Sequence, residues 1–171
     1  MSPLLLRKLL EMAPSLFGAP QFIDPKAVNP IDYGYGVEGA FGGGEQAYLG
    51  TADAARHLGW QGEMQRRFGK LPAAAAGAFH EIVGGSDHPL ESKMDWHNNA
   101  VARKRLEGIK SQKDMDAALK KLMAEAVEVN TMEEYEQASS KDVPIYVGNI
   151  GRQNPSMFNL KWQDPTGDTT R

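Results

Sequence analysis

The sequence predicts an all-α protein: a compact helical domain over residues 45–140, preceded by an irregular Gly/Pro-rich arm over 18–44 and followed by an extended tail over 141–171. Two observations inside the stretch from Thr51 to Ser139 predict it. Apolar residues recur there at helical spacing, and helix-capping residues punctuate the pattern. A third observation is that β character is confined to one short run, Val143-Pro-Ile-Tyr-Val147, which Pro144 restricts to an edge or a single extended strand.

Within residues 1–17, Ser2 and Pro3 are a good N-cap and first helical residue, and a short helix is expected to run to about Met12 before Pro14 stops it. Leu5, Leu9 and Met12 share one face, suited to docking on the domain or to peripheral contact with a membrane or partner. The arm contains Pro20, Pro25, Pro30 and Gly42-Gly43-Gly44, and reads as extended. Inside it, Gly34-Tyr-Gly36-Val-Glu-Gly39 has the spacing of a dinucleotide-binding loop. No strand precedes it and no βαβ pattern surrounds it, so no cofactor is inferred.

Thr51 is placed to cap a helix through Asp53, His57, Trp60, Met64 and Phe68, with Gly69 as its stop. Gly59 and Gly62 weaken it by roughly 1 kcal/mol each unless close packing requires them. Pro72 opens an alanine-rich helix to about Val83, punctuated by Gly84-Gly85. A further helix is expected from near Ser92, carrying Asp95 through Leu106 and ending by Gly108. Ser111 with Asp114 resembles a capping box. It begins a helix whose apolar face is Met115, Leu119, Leu122, Met123, Ala126 and Val127. Thr131 with Glu134 is a proper capping box for a short helix to about Ser139. The tail carries isolated Phe158, Leu160 and Trp162 among polar residues.

A chain of 171 residues with 41% hydrophobic content builds its core without staples. The net charge of −3 provides no basic field for nucleic acid. With no cysteine, thiolate ligands and a cysteine nucleophile are excluded, and any metal must be held by His, Asp, Glu or Asn. No apolar run reaches the 18 residues of a transmembrane helix. Arg7-Lys8 follows the first leucines instead of preceding them, so no secretory signal peptide is read, and localisation stays open.

Three polar segments carry the functional signal. They are Asp53-Ala-Ala-Arg56-His57-Leu-Gly-Trp60, His80-Glu81, and Asp95-Trp-His97-Asn98-Asn99-Ala-Val-Ala102-Arg103. Asp53, His57 and Trp60 fall at i, i+4 and i+7, and Asp95, Asn99 and Arg103 at i, i+4 and i+8, so each set lines one face of a helix. Burying such a stripe costs several kcal/mol unless its members satisfy one another, so two stripes in one domain suggest a shared network or a site. In their order and spacing the three segments resemble a family of uncharacterised all-α domains of bacterial and phage proteins, some secreted or toxin-associated. Its pattern is Asp-Ala-x-Arg-His-x-x-Trp, then His-Glu, then Asp-x-His-Asn-Asn-Ala-Val-Gly-Arg. Ala102 stands here in place of that family's glycine. The resemblance spans roughly residues 50–110 and implies a helical fold but no settled reaction.

The catalytic candidates are His57, His80, Glu81, Asp95 and His97, with Asp53, Trp60, Asn98, Asn99 and Arg103 as binding candidates. Imidazole nitrogens and carboxylate oxygens suit a divalent metal such as Zn²⁺, although neither H-E-x-x-H nor an EF-hand loop is present. A metal-free acid/base site uses the same residue types. The alternative is a closed structural network, in which Asp53 accepts from His57, Arg103 pairs with Asp95 or Glu107, and the Asn pair caps the 84–93 loop. A serine nucleophile is a poor reading, because no G-x-S-x-G elbow exists and no serine lies within the three segments. Two functions follow. One is a component of a larger assembly such as a virion, whose arm and tail hold neighbouring subunits. The other is a hydrolase acting on a cell-envelope or other bacterial macromolecule, a substrate class implied by the resemblance alone. The combined length of arm and tail tips the sequence reading toward the assembly component.

Overall fold

The computed structural model describes residues 29–42, 50–84 and 89–148. The expected N-terminal helix, His88 and the tail anchors Phe158, Leu160 and Trp162 lie outside the described residues. Among the described residues, six helices and two short strands follow in the order α1 (Pro30–Ala40), α2 (Thr51–Phe68), α3 (Lys70–Gly84), α4 (Pro89–Arg105), α5 (Gln112–Ala124), β1 (Val127–Val129), α6 (Met132–Ser139) and β2 (Ile145–Val147). The all-α expectation holds.

The irregular reading of the arm gives way at Pro30, where α1 begins. The Asn29 side chain accepts from the Ile31 backbone N–H at 2.9 Å and Pro30 occupies the first turn, both favourable at a helix start. Tyr33, Val37 and Ala40, at i, i+4 and i+7, are buried against α2. Gly34 serves close approach to α2 instead of breaking the chain, as Gly59 does from the other side. A Cβ on Gly34 would lie 3.1 Å from the Trp60 Cβ, and one on Gly59 would meet the Val37 side chain at 2.9 Å. The Gly34–Gly39 pattern therefore lies within a helix and forms no phosphate-binding loop.

Helix α2 runs to Phe68 and ends at Gly69, whose φ of 88° suits a residue without a Cβ. Its buried Ala54, Ala55 and Leu58 join Val101 and Ala102 of α4, Leu106 just beyond it, and Met115, Leu119 and Leu122 of α5 in the main core. The Ser111 side chain accepts from the Asp114 N–H at 3.1 Å to cap α5, and Thr131 and Glu134 form the expected reciprocal capping box of α6.

The Val127 end of the expected α5 pattern is instead strand. β1 pairs in parallel with β2, with Val127, Glu128 and Val129 opposite Ile145, Tyr146 and Val147, so the β-like run finds a partner that local periodicity does not reveal. Ile145 and Val147 pack with Leu90, Met94, Val129 and Ala138 in a second core. The outer side of β2 is held by α4: Asn98 Nδ2 donates to the Ile145 carbonyl at 2.8 Å, and the Ile145 N–H donates to Asn98 Oδ1 at 2.9 Å.

The site is positioned by the seam of α2, α3 and α4. His57 meets Asn99, and one turn along Gln61 meets Arg103, each pair 42 residues apart, so α2 and α4 run in the same direction. Glu81 lies beside Asn99, and Gly77, one turn earlier, lies against Gln61, so α3 runs opposite to both.

Candidate functional site

The carboxylates and histidines reach the seam because each occupies the inward position of its own helix. α2 contributes Asp53, His57, Trp60 and Gln61, α3 contributes His80 and Glu81, and α4 contributes Asp95, Asn99 and Arg103. His57 is the hub. Its Nε2 lies 3.1 Å from Asp95 Oδ1 and 3.7 Å from Asp53 Oδ1, and its Nδ1 lies 3.3 Å from Asn99 Oδ1 and 3.9 Å from Glu81 Oε1. Asn99 Nδ2 donates to Glu81 Oε1 at 3.0 Å. Asp53, His57, Glu81, Asp95 and Asn99 are all buried. The rings of His57, Trp60 and His80 stand together, with centroids 5.1–6.4 Å apart. His80 is only partly buried, so the cluster approaches the surface on its side.

Arg56 has no role in the sequence reading beyond its place in the motif, yet it is the cation of the cluster. It ion-pairs with Asp53 and, from its other nitrogen, with Glu38 of α1 at 2.7 Å. The signal for the first pair is the i, i+3 spacing of Asp53 and Arg56; Glu38 is supplied by a helix the sequence reading leaves irregular. Asp53 and Glu38 more than offset the burial that opposes the Arg56 charge, and hold its pKa above the ordinary value.

Burial dominates the protonation of the other groups. It pushes the Glu81 carboxyl up to about 7, against the Asn99 hydrogen bond that favours its ionised form, and the Asp53 and Glu91 charges push it further. Asp95 is driven well above the usual carboxylate range by burial, then by the charges of Asp53 and Glu81. His57 is held well below the ordinary imidazole value by burial and by Arg56, and His80 is lowered by the same two causes. The centre therefore pairs imidazoles held toward their neutral form with carboxyl groups that resist ionisation, because burial opposes charge on both.

The network does not close on itself. Among the described residues, Asp95 Oδ1, His80 Nδ1 and Trp60 Nε1 are buried without a hydrogen-bond partner. Arg103 donates to Gln61 Oε1 at 3.0 Å instead of pairing with Asp95 or Glu107; Glu107 pairs with Lys70 at 2.9 Å.

Two candidates point away from the seam. His97 Nε2 meets the Val143 carbonyl at 2.8 Å, and its ring stands edge-on to Tyr135 with centroids 6.3 Å apart. Asn98 is fully engaged by Ile145. At about 100° per residue, His97 lies some 200° around α4 from Asp95, so the helical wheel already separates them.

Among the described residues, Asp53, His57 and Asp95 each offer a ligand atom within 4.8 Å of the others, a donor set of one nitrogen and two oxygens. No helix among the described residues is long and apolar enough to cross a membrane. No curated protein and no solved structure matches the chain. A family model described as a domain of unknown function, DUF6973, matches residues 39–131, from the end of α1 to the start of α6 and across all three polar segments. That match covers more than half of the sequence, and the chain belongs to the DUF6973 family.

Proposed function

We propose that the chain is a hydrolase and that the α2–α3–α4 seam is its active centre. The observation that carries this reading is the incompleteness of a buried polar cluster. A network retained only to fix helix register satisfies its members, because an unpaired buried polar group costs about 1–3 kcal/mol. Here Asp95 Oδ1, His80 Nδ1 and Trp60 Nε1 have no partner among the described residues. Unpaired groups of this kind are available to a substrate and an attacking water. In this reading Glu81 takes and returns protons, Asp95 and His57 hold and orient the water, and partly exposed His80, with buried Trp60 beside it, faces the substrate. The resemblance to bacterial and phage domains suggests a cell-envelope polymer as the substrate class.

The test is turnover by the full chain of purified peptidoglycan and of a panel of ester, amide and phosphodiester probes, set beside the near-isosteric Asp95→Asn variant. Turnover by the wild type, reduced at least a hundredfold in a folded Asp95→Asn, is expected. Inactivity of the folded wild type on the whole panel, or equal activity of the two proteins, contradicts the proposal.

The assembly reading is supported by a different observation. Leu71, Phe79 and Ile82 of α3 are exposed, Leu71 and Ile82 at 83% and 76%, and their spacing places them along one side of the helix. Such a stripe suits a neighbouring subunit. Light scattering tests it: a concentration-dependent oligomer that a Leu71→Gln/Ile82→Gln variant abolishes supports assembly, and a monomer at all concentrations contradicts it.

A further inference from the structure

The hydrogen-bond directions around His57 say more than its distances. Asn99 Nδ2 donates to Glu81 Oε1, which turns Asn99 Oδ1, an acceptor, toward His57 Nδ1 at 3.3 Å. Nδ1 must then carry the ring proton. The lone pair of Nε2 is left facing Asp95 Oδ1 at 3.1 Å and Asp53 Oδ1 at 3.7 Å. The 3.1 Å approach lacks the alignment of a hydrogen bond, and Asp95 Oδ1 has no hydrogen-bond partner among the described residues although the residue is only 8% exposed. The Nε2 lone pair and Asp95 Oδ1 therefore face one another with no donor between them among the described residues, beside an Asp53 oxygen that Arg56 pairs. Mutually repelling acceptors in a buried place are stabilised by a cation.

We propose that Asp53, His57 and Asp95 bind one divalent metal ion of the Zn²⁺ class, through His57 Nε2 and one oxygen of each carboxylate, leaving further positions for water or substrate. The inference deepens the hydrolase reading and concerns the same centre, but binding is measured without reference to turnover. The surroundings match what metal sites build around their ligands. A ligating imidazole characteristically donates its second N–H to an oxygen that is itself fixed, and the His57–Asn99–Glu81 chain does this. The charge balance agrees: Arg56 makes its ion pairs with Asp53 and Glu38 and acts on Asp95 as a weaker charge that does not overcome burial and the neighbouring carboxylates. The three ligand atoms lie within 4.8 Å of one another. Bonds near 2.1 Å in a tetrahedral site set ligand separations of roughly 3.4 Å, so binding draws the two carboxylates inward by a modest side-chain rotation.

The experiment uses the full chain freed of metal by a chelator, then titrated with ZnCl₂ by calorimetry and with CoCl₂ by visible absorption. Wild type is expected to bind one ion per chain at micromolar affinity or tighter and to show the d–d bands of Co²⁺. Asp95→Asn should weaken binding at least a hundredfold, Asn99→Ala about tenfold through loss of the orienting acceptor, and His97→Gln not at all. Histidine ¹⁵N spectra of the wild type keep the proposal testable even where a variant fails to fold. Zn²⁺ should shift the Nε2 of one buried histidine whose Nδ1 stays protonated. No binding up to millimolar metal, unchanged binding by folded Asp95→Asn, or no shifted histidine nitrogen overturns the proposal. Metal binding without turnover of any probe would instead overturn the hydrolase reading and leave the metal site standing.

Discussion

On one face of α4, Asn98 gives and receives a hydrogen bond from the backbone of Ile145, and the neighbouring His97 meets the Val143 carbonyl. On another face, Asp95 and Asn99 meet His57, and Asp95 Oδ1 is left without a hydrogen-bond partner among the described residues. The two groups are interleaved in one nine-residue motif, and Asn98 on the one face is buried like Asp95 and Asn99 on the other. What separates them is saturation. Asn98 fixes a strand edge as another strand would, with both halves of its amide used. Asp95 and Asn99 hold a histidine among carboxylates that repel one another. Similar burial of similar residue types thus serves stability on one face and leaves unspent interaction potential on the other.

The largest expected effect breaks the saturated face. Asn98→Ala strands the buried N–H and C=O of Ile145, each costing about 1–3 kcal/mol, and denaturant unfolding should show a loss of about 2–4 kcal/mol with the second core loosened. Metal binding at the seam should survive this change in whatever fraction remains folded.

The next effect sharpens the comparison through pH. The folded pKa of Glu81, about 7, lies above its ordinary 4.5, so its contribution to stability is fully present below pH 4.5 and is lost as pH rises through 7. The raised Asp95 acts in the same direction, whereas depressed His57 acts oppositely, its contribution being present above pH 6.5 and lost as pH falls through its folded value. For the chelator-treated chain, Glu81→Gln should remove a stability change on the order of 2–3 kcal/mol between pH 4.5 and 8. Denaturation midpoints of wild type and variant at several pH values check this, and parallel profiles would rule out the burial assigned to Glu81.

The smallest effect is on the half-buried His97. Replacing it with Ala removes one hydrogen bond and an edge-on ring contact, and should lower stability by about 1 kcal/mol in thermal or denaturant unfolding while leaving the seam unchanged.

How far the sequence reaches follows from which interactions are local. The seam was legible because Asp53, His57 and Trp60, and Asp95, Asn99 and Arg103, repeat at helical spacing, and the capping box of Thr131 and Glu134 marked α6 directly. α1 was not, because its glycines suggest a broken chain until the close approach of Gly34 to Trp60 on α2 is known. β1 was hidden for the same reason: Val127 continues the α5 pattern, and only pairing with distant Ile145 makes it strand. The separation of His97 from Asp95 was available from the helical wheel, yet the motif presents them together. No sequence pattern indicated that Asp95 Oδ1 would end without a partner, since that depends on where Arg103 and Asn99 spend their donors.

The central claim is that the His57 seam is strained by its own acceptors while the Asn98 face is saturated. Its most direct test is the unfolding free energy of Asp95→Asn at pH 7.5 in chelator, measured beside Asn98→Ala. Removing a buried repelling carboxylate without changing its shape should leave the protein at least as stable as wild type, as expected where a site trades stability for function. A loss in Asp95→Asn as large as that in Asn98→Ala would contradict the account, and would mark the seam as a structural network like its neighbour.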